Sequence, residues 1–324
     1  MLEANVRRDG TGNPGHLVDR QQSQLTQKGS SMKLVRFGPR GREKPGILAA
    51  DGRIKDVSAH VRDYDHAFFA GGGLAMLREL AADADTLSAV PADARLGPPV
   101  ARPRNVFAIG LNYSDHAKET GAAIPSEPIL FMKATSAICG PHDPILIPRG
   151  SRKTDWEVEL GLVIGRDARY LPSKEAAREC VAGFCVANDV SERAFQLERG
   201  GQWSKGKSCD SFLPLGPWLV TADEVADPQR LDLRLEVNGV SRQQGTTATM
   251  IFDVWHIVHY LSQFLTLEAG DVVITGTPPG VGMGMKPPVY LAAGDVVTLS
   301  IDGLGGQRSV CEDARVFDGS KTAT

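Results

Sequence analysis

Trp156-Glu157-Val158-Glu159-Leu160-Gly161-Leu162-Val163-Ile164 decides how this chain is read. Residues two apart on a strand share a face, so Trp156, Val158, Leu160, Leu162 and Ile164 form one apolar row. Glu157 and Glu159 project together from the opposite side. Two carboxylates that close repel by roughly 4 kcal/mol at an effective dielectric of about 20. A cation between them relieves that cost. Such pairs also occur on solvated strand faces, so the neighbours of this one matter. Asp189 ends the next apolar run, Val181 to Val190, where a third ligand is well placed. Three hard oxygen ligands with no nearby Cys or His select Mg²⁺, Mn²⁺ or Ca²⁺ over Zn²⁺.

Polar groups gather around this trio. Arg193 and Gln196 stand three apart on the helix expected over Ser191 to Arg199 and share a face. Gln202-Trp203-Ser204-Lys205-Gly206-Lys207-Ser208 is a Gly-bearing basic turn that can present Lys207 to an anion. Upstream, Tyr113 to Thr120 reads as a short helix carrying His116 and Glu119 three apart. A carboxylate at that spacing orients an imidazole and raises its basicity, as a general base requires. Downstream, Ile274-Thr275-Gly276-Thr277-Pro278-Pro279-Gly280 ends a buried strand in a turn whose N–H and hydroxyl groups suit a carboxylate. His256 and His259 lie on one amphipathic helix but lack an acidic partner at suitable spacing, so they read as structural.

The remaining sequence is strand-rich. Ile47 to Ala50, Asp51-Gly52 and Ile54 to Val57 form a hairpin pattern, as do Leu231 to Val237 and Asn238-Gly239. Ile251, Val254, Val258, Leu261 and Leu265 mark an apolar helical stripe. Leu267-Glu-Ala-Gly-Asp-Val-Val recurs as Leu291-Ala-Ala-Gly-Asp-Val-Val, each copy a turn that launches a strand. The pattern predicts an α+β fold with a curled, mostly antiparallel sheet, not a doubly wound one. Residues 1–31 read as a disordered extension, rich in Gln, Gly, Ser and charge. Met32 opens the structured pattern, with a small N-terminal α/β domain over 32–100, the main domain over 101–318 and a tail over 319–324.

The 324 residues are 42% hydrophobic and 23% charged, with a net charge of −3. That balance leaves no basic footprint for nucleic acid and no polybasic membrane patch, and no apolar run reaches a membrane span. Five scattered cysteines without a C-x-x-C pair suit reduced thiols in a cytoplasmic protein. Cys209, beside the Lys-rich turn, reads as a bystander.

Taken in order, Asn112-Tyr113…His116…Glu119, Phe131-Met132-Lys133, Asp155-Trp156-Glu157-Val158-Glu159-Leu160, Asn188-Asp189-Val190-Ser191-Glu192-Arg193-Ala194-Phe195-Gln196, Gly206-Lys207-Ser208 and Thr275-Gly276-Thr277-Pro278 resemble the fumarylacetoacetate hydrolase family. The match runs over roughly residues 103 to 313. It implies a mixed β-roll catalytic domain, usually in a homodimer. It implies that Glu157, Glu159 and Asp189 ligate Mg²⁺ or Mn²⁺, and that His116 and Glu119 form a dyad on a mobile lid. Lys207, Arg193 and Gln196 are expected around the reacting oxygens, and Thr277 at the substrate carboxylate. Lys133 and Tyr113 complete the substrate-facing set.

The activity this implies is metal-assisted hydrolysis of a C–C bond in a 2,4-dioxo acid, releasing pyruvate. The substrate is expected to be an acylpyruvate or a 2,4-dioxo-3-deoxy sugar acid, since the long stretches Gly206 to Val220 and Val272 to Pro288 resemble sugar-acid catabolic members most. Decarboxylation or enol isomerisation of a related 2-oxo acid uses the same enolate stabilisation. A non-catalytic module that binds 2-oxo acids is the rival from another class.

Overall fold

A computed structural model describes residues 32–121 and 123–315. The extension expected over 1–31 and the tail over 319–324 lie outside the described residues. The chain forms two large sheets with few helices, as an α+β fold requires. The larger sheet has ten strands. Its main path runs Ile54–Asp56, Lys44–Leu48, Lys33–Phe37, Leu219–Thr221, Val181–Asn188, Val158–Ile164, Val272–Ile274, Val106–Gly110, Ile129–Lys133, and Leu96–Gly97 pairs beside Lys33–Phe37. Most pairings are antiparallel; Val272–Ile274 runs parallel to Val106–Gly110.

Strand Val158–Ile164 is buried at every position. Val181–Asn188 flanks it on one side and Val272–Ile274 on the other, so both its edges are hydrogen-bonded. This explains the near-continuous apolar run, which a half-exposed strand does not need. The strands at the start of the chain are continuous with this sheet: Lys33–Phe37 pairs with Leu219–Thr221.

The second sheet has the order Val240–Thr246, Asp232–Val237, Val296–Ile301, Gly305–Asp313, Ile145–Ile147. Asp232–Val237 alternates exposed and buried residues without a break, and Asn238 and Gly239 take φ of 54° and 73° in its hairpin turn. Those positive angles favour Asn-Gly at this point.

The repeated heptapeptide folds twice into the same turn. Gly270 and Gly294 have φ of +87° and +94°. Asp271 and Asp295 each accept from the backbone N–H three residues back, at 2.9 and 2.8 Å. One copy feeds the ten-stranded sheet and the other the five-stranded sheet.

The helices are shorter than the sequence pattern suggests. Arg193–Leu197 replaces the longer helix expected over Ser191 to Arg199, because Ser191–Glu192 instead pairs with Thr154–Asp155. Val254–Ser262 is capped by Asp253, whose carboxylate accepts from His256 N–H, so Ile251 and Leu265 fall outside it. On that helix His256 stacks between Phe252 and Tyr260, which accords with a structural role. No helix among the described residues is long and apolar enough to cross a membrane.

Candidate active site

Glu157 and Glu159 stand at the start of the central strand, only 7% and 2% exposed. Across the ladder Val158 pairs with Asn188, and the Asp189 N–H donates to the Glu157 carbonyl at 2.9 Å. That bond fixes Asp189 beside the pair. One oxygen from each of Glu157, Glu159 and Asp189 lies within 4.8 Å of the others.

Three cations penetrate the cluster. Lys207 Nζ donates to Glu157 Oε2 at 2.8 Å and to Asp189 Oδ2 at 2.6 Å. Lys133 Nζ donates to Asp189 Oδ1 and, at 3.3 Å, to the Val190 carbonyl. Arg193 spreads its nitrogens over Glu157 Oε1 at 2.6 Å, Asp155 Oδ2 at 2.8 Å and Gln196 Oε1 at 3.1 Å. Glu159 differs from its partners. Its bond is from the Gly276 N–H at 2.7 Å, with no side-chain cation on it among the described residues.

The titration of the two glutamates follows from this. Burial alone raises the Glu157 carboxyl, but Lys207 and Arg193 outweigh it and hold the group at about 2. Burial, then the charges of Asp189 and Glu157, push Glu159 well above the usual carboxylate range. A buried set of hard oxygens, one carboxylate of which has no hydrogen-bonded cation, suits a divalent cation, and Glu157, Glu159 and Asp189 are the residues that would hold it.

The turn after strand Val272–Ile274 closes over these residues. Thr275 and Thr277 hydroxyls donate to the Leu160 and Val158 carbonyls, both at 2.9 Å. Between them Gly276 has φ +95°, and a Cβ there would sit 2.8 Å from Asn112 Cβ. A side chain at 276 would therefore displace the backbone N–H that holds Glu159. Thr277 lines the cavity, but its hydroxyl is already committed: it also accepts from Gln243 Nε2 at 2.8 Å. Any contact with a substrate carboxylate must therefore share that hydroxyl or use the turn's backbone.

His116 lies on helix Ser114–Thr120, largely buried, with Nδ1 3.1 Å from Glu119 Oε2. Glu119 also accepts from the Gly280 N–H at 3.2 Å, which ties the helix to the loop beyond Thr277. The approach to the helix is held by Asn112, whose side chain bonds Thr275 O, Phe252 O and Phe252 N–H at 2.8, 3.0 and 2.8 Å. Next to it Leu111 has φ +52°, in the left-handed region, at a cost of about 1–3 kcal/mol.

A cavity of about 200 Å³ brings together His116, Glu157, Glu159, Asp189, Arg193, Gln196, Lys207 and Thr277. Two expected contacts are placed elsewhere. Tyr113 is fully buried, is not among the lining residues, and its hydroxyl has no partner among the described residues. Lys133 is also absent from the lining and reaches the site only through Asp189. Tyr113 is turned into packed structure and Lys133 onto Asp189, neither of which sequence spacing reveals.

Two further residues hold the site together. Asp155 is fully buried and accepts four bonds. Oδ1 takes Gly282 N–H at 2.7 Å and Trp156 N–H at 2.9 Å; Oδ2 takes Arg193 Nε at 2.8 Å and Met283 N–H at 3.0 Å. It thus joins Arg193 to the loop that brings Met283 to the cavity. Gln243, from the five-stranded sheet, accepts from Val158 N–H at 2.9 Å and donates to Thr277 Oγ1 and Pro278 O, both at 2.8 Å. Asp155 carried a signal as the acidic residue beside the Glu pair. Gln243 carried none, since its strand is polar throughout.

Packing also explains the glycine in the basic turn. A Cβ on Gly206 would lie 2.5 Å from Gln196 N, so only glycine lets helix Ser204–Lys207 sit against Arg193–Leu197 and deliver Lys207.

Residues 105–311 match the family described as fumarylacetoacetate (FAA) hydrolase C-terminal. A Burkholderia multivorans protein, whose description goes no further than hydrolase, is 57% identical over 285 residues, covering 88% of this chain and 100% of the relative. The solved 2-hydroxyhepta-2,4-diene-1,7-dioate isomerase of Mycobacterium marinum is 31% identical, with TM-score 0.68, covering 87% of this chain and 99% of that one. Maleylpyruvate hydrolase of Sphingobium sp. SYK-6, solved in complex with manganese(II) ion and pyruvate, is 28% identical with TM-score 0.73, covering 88% and 100%. With a family match over most of the chain and a full-length relative at this identity, the protein is an enzyme of the fumarylacetoacetate hydrolase family.

Proposed function

We propose that this enzyme hydrolyses a C–C bond in a 2,4-dioxo acid and releases pyruvate, using one Mg²⁺ or Mn²⁺ held by Glu157, Glu159 and Asp189. The observation that carries this reading is the meeting in one cavity of three mutually close buried carboxylates and His116, whose Nδ1 is held by Glu119 from outside the lining. When bound, the cation supplies Lewis acidity at the 2-oxo-carboxylate end and offsets charge on the departing enolate.

The side chains divide the remaining work. Glu119 fixes the imidazole through Nδ1, and His116 Nε2 takes a proton from water. The hydroxide adds to the C4 carbonyl, and the C3–C4 bond breaks with its electron pair left on C3. The proton held on His116 is returned to C3 to give pyruvate, and the acyl half leaves as a carboxylic acid. Lys207, Arg193 and Gln196 oppose the charge that develops. The manganese and pyruvate in the Sphingobium relative support this assignment.

Enol isomerisation is the second reading, favoured by similarity to the Mycobacterium marinum isomerase. It needs no water activated at His116, so product analysis separates the two. Metal-supplemented turnover of 2,4-dioxo acids is expected to release pyruvate in proportion to substrate lost; a tautomer formed without pyruvate would replace hydrolysis by isomerisation. The five free cysteines suit a reducing compartment, so the cytoplasm is the proposed location; a homodimer is proposed separately, from the family resemblance alone.

A further inference from the structure

Part of the cavity wall is apolar. Leu111, Phe131, Leu197, Trp203 and Met283 line it. Phe131 and Trp203 meet edge to face with centroids 5.2 Å apart, and Gly110 leaves room for the indole, since a Cβ there would lie 2.9 Å from it. Phe131 also has Lys207 Nζ over its ring at 5.2 Å, so one face of the ring is turned toward the charged end.

The cations available to a ligand are equally telling. Arg193 and Lys207 are the only Arg or Lys among the lining residues. Arg193 is spent on Asp155, Glu157 and Gln196, and Lys207 on Glu157 and Asp189. A second carboxylate at the far end of a substrate would meet hydrocarbon there and no uncommitted cation. A chain of hydroxyl groups would find few partners. Either is expensive to desolvate without a compensating bond.

We propose that Leu111, Phe131, Leu197, Trp203 and Met283 form an acyl subsite that selects an uncharged apolar group, alkyl or aryl, on the carbon that becomes the released acid. The proposal rests on the 2-oxo acid reading of the same cavity and narrows it. It sets the enzyme apart from the relative named for a 1,7-dioate and counts against the polyhydroxylated sugar acids that the sequence suggested. Leu197, at the rim and 46% exposed, is the residue where a charge would change the preference without disturbing the core.

Binding tests the subsite separately from catalysis. Calorimetry with Mn²⁺-loaded enzyme compares 2-oxoheptanoate with 2-oxoheptanedioate, which have the same chain length and differ in the terminal carboxylate. The monocarboxylate, uncharged at its distal end, is expected to bind about 100-fold tighter. Leu197→Arg is expected to narrow that ratio at least about tenfold by giving the distal carboxylate a partner. Equal or tighter binding of the dioate by the wild type would overturn the proposal. Pyruvate release is followed in parallel from 2,4-dioxoheptanoate. A preserved binding preference without pyruvate release would overturn the hydrolase reading and leave the apolar subsite standing.

Discussion

Two clusters of charge among the described residues differ in whether every acid meets a cationic side chain. In one, Arg36 grips Asp63 through two bonds of 2.7 and 2.9 Å, and Arg95 grips Asp143 through two of 2.7 and 2.6 Å and reaches Glu43 at 3.0 Å. In the other, Lys133, Lys207 and Arg193 crowd around Glu157 and Asp189 but leave Glu159 with a backbone N–H. The matched cluster borders the larger cavity, about 280 Å³ against about 200 Å³. Cavity size is therefore a poor guide here. An acid that meets no cationic side chain beside two others is where a divalent cation would fit.

The largest effect is expected from breaking the unmatched cluster. Glu157→Ala removes a ligand and leaves Lys207 and Arg193 each short of a carboxylate, so metal-dependent pyruvate release should fall roughly 10³-fold or more. Unchanged turnover in this variant, with or without chelator, would remove the metal assignment. His116→Ala should lower hydrolysis by about 10²–10⁴-fold while metal affinity stays within a few-fold. Loss of both together would instead make His116 a structural support.

The matched cluster should respond in stability rather than chemistry. Arg36→Met strands the partly buried Asp63 and removes the 3.6 Å approach of Arg36 to Glu43, at a cost of about 2–3 kcal/mol. Thermal unfolding should fall by about 5–10 °C with Mn²⁺ affinity unchanged. A loss of metal affinity in a folded Arg36→Met enzyme would erase the distinction between the clusters.

Cys209 offers the smallest effect. Burial pushes its thiol up to about 11, so at pH 8 only about one molecule in a thousand carries the thiolate. Alkylation at Cys209 should be slow at neutral pH and accelerate as pH rises toward that value. Cys209→Ser should keep activity within about twofold.

Much of the site was legible because strand periodicity is local. Glu157 and Glu159 share a face in any strand, and the Asn238-Gly239 and Gly-Asp turns carry their backbone angles in their residue types. What crosses between elements was not legible. Lys207 was read as a loop lysine facing an anion, yet the tight fit of Gly206 on Gln196 drives it into the carboxylates themselves. Tyr113 adjoins the dyad helix in sequence but is turned into the core. The apolar wall joins residues from four segments of the chain, so no spacing rule assembles it, and the proposed preference for an apolar acyl group over a sugar acid rests on it.

The central claim is that Glu157, Glu159 and Asp189 hold one divalent cation. Calorimetric titration of Mn²⁺ into chelator-stripped enzyme, wild type beside Glu159→Gln, tests it without turnover. The account predicts one ion per chain in the wild type and binding weakened by about 100-fold or more in the variant. Equal affinity in both proteins, or no binding by the wild type, would contradict it.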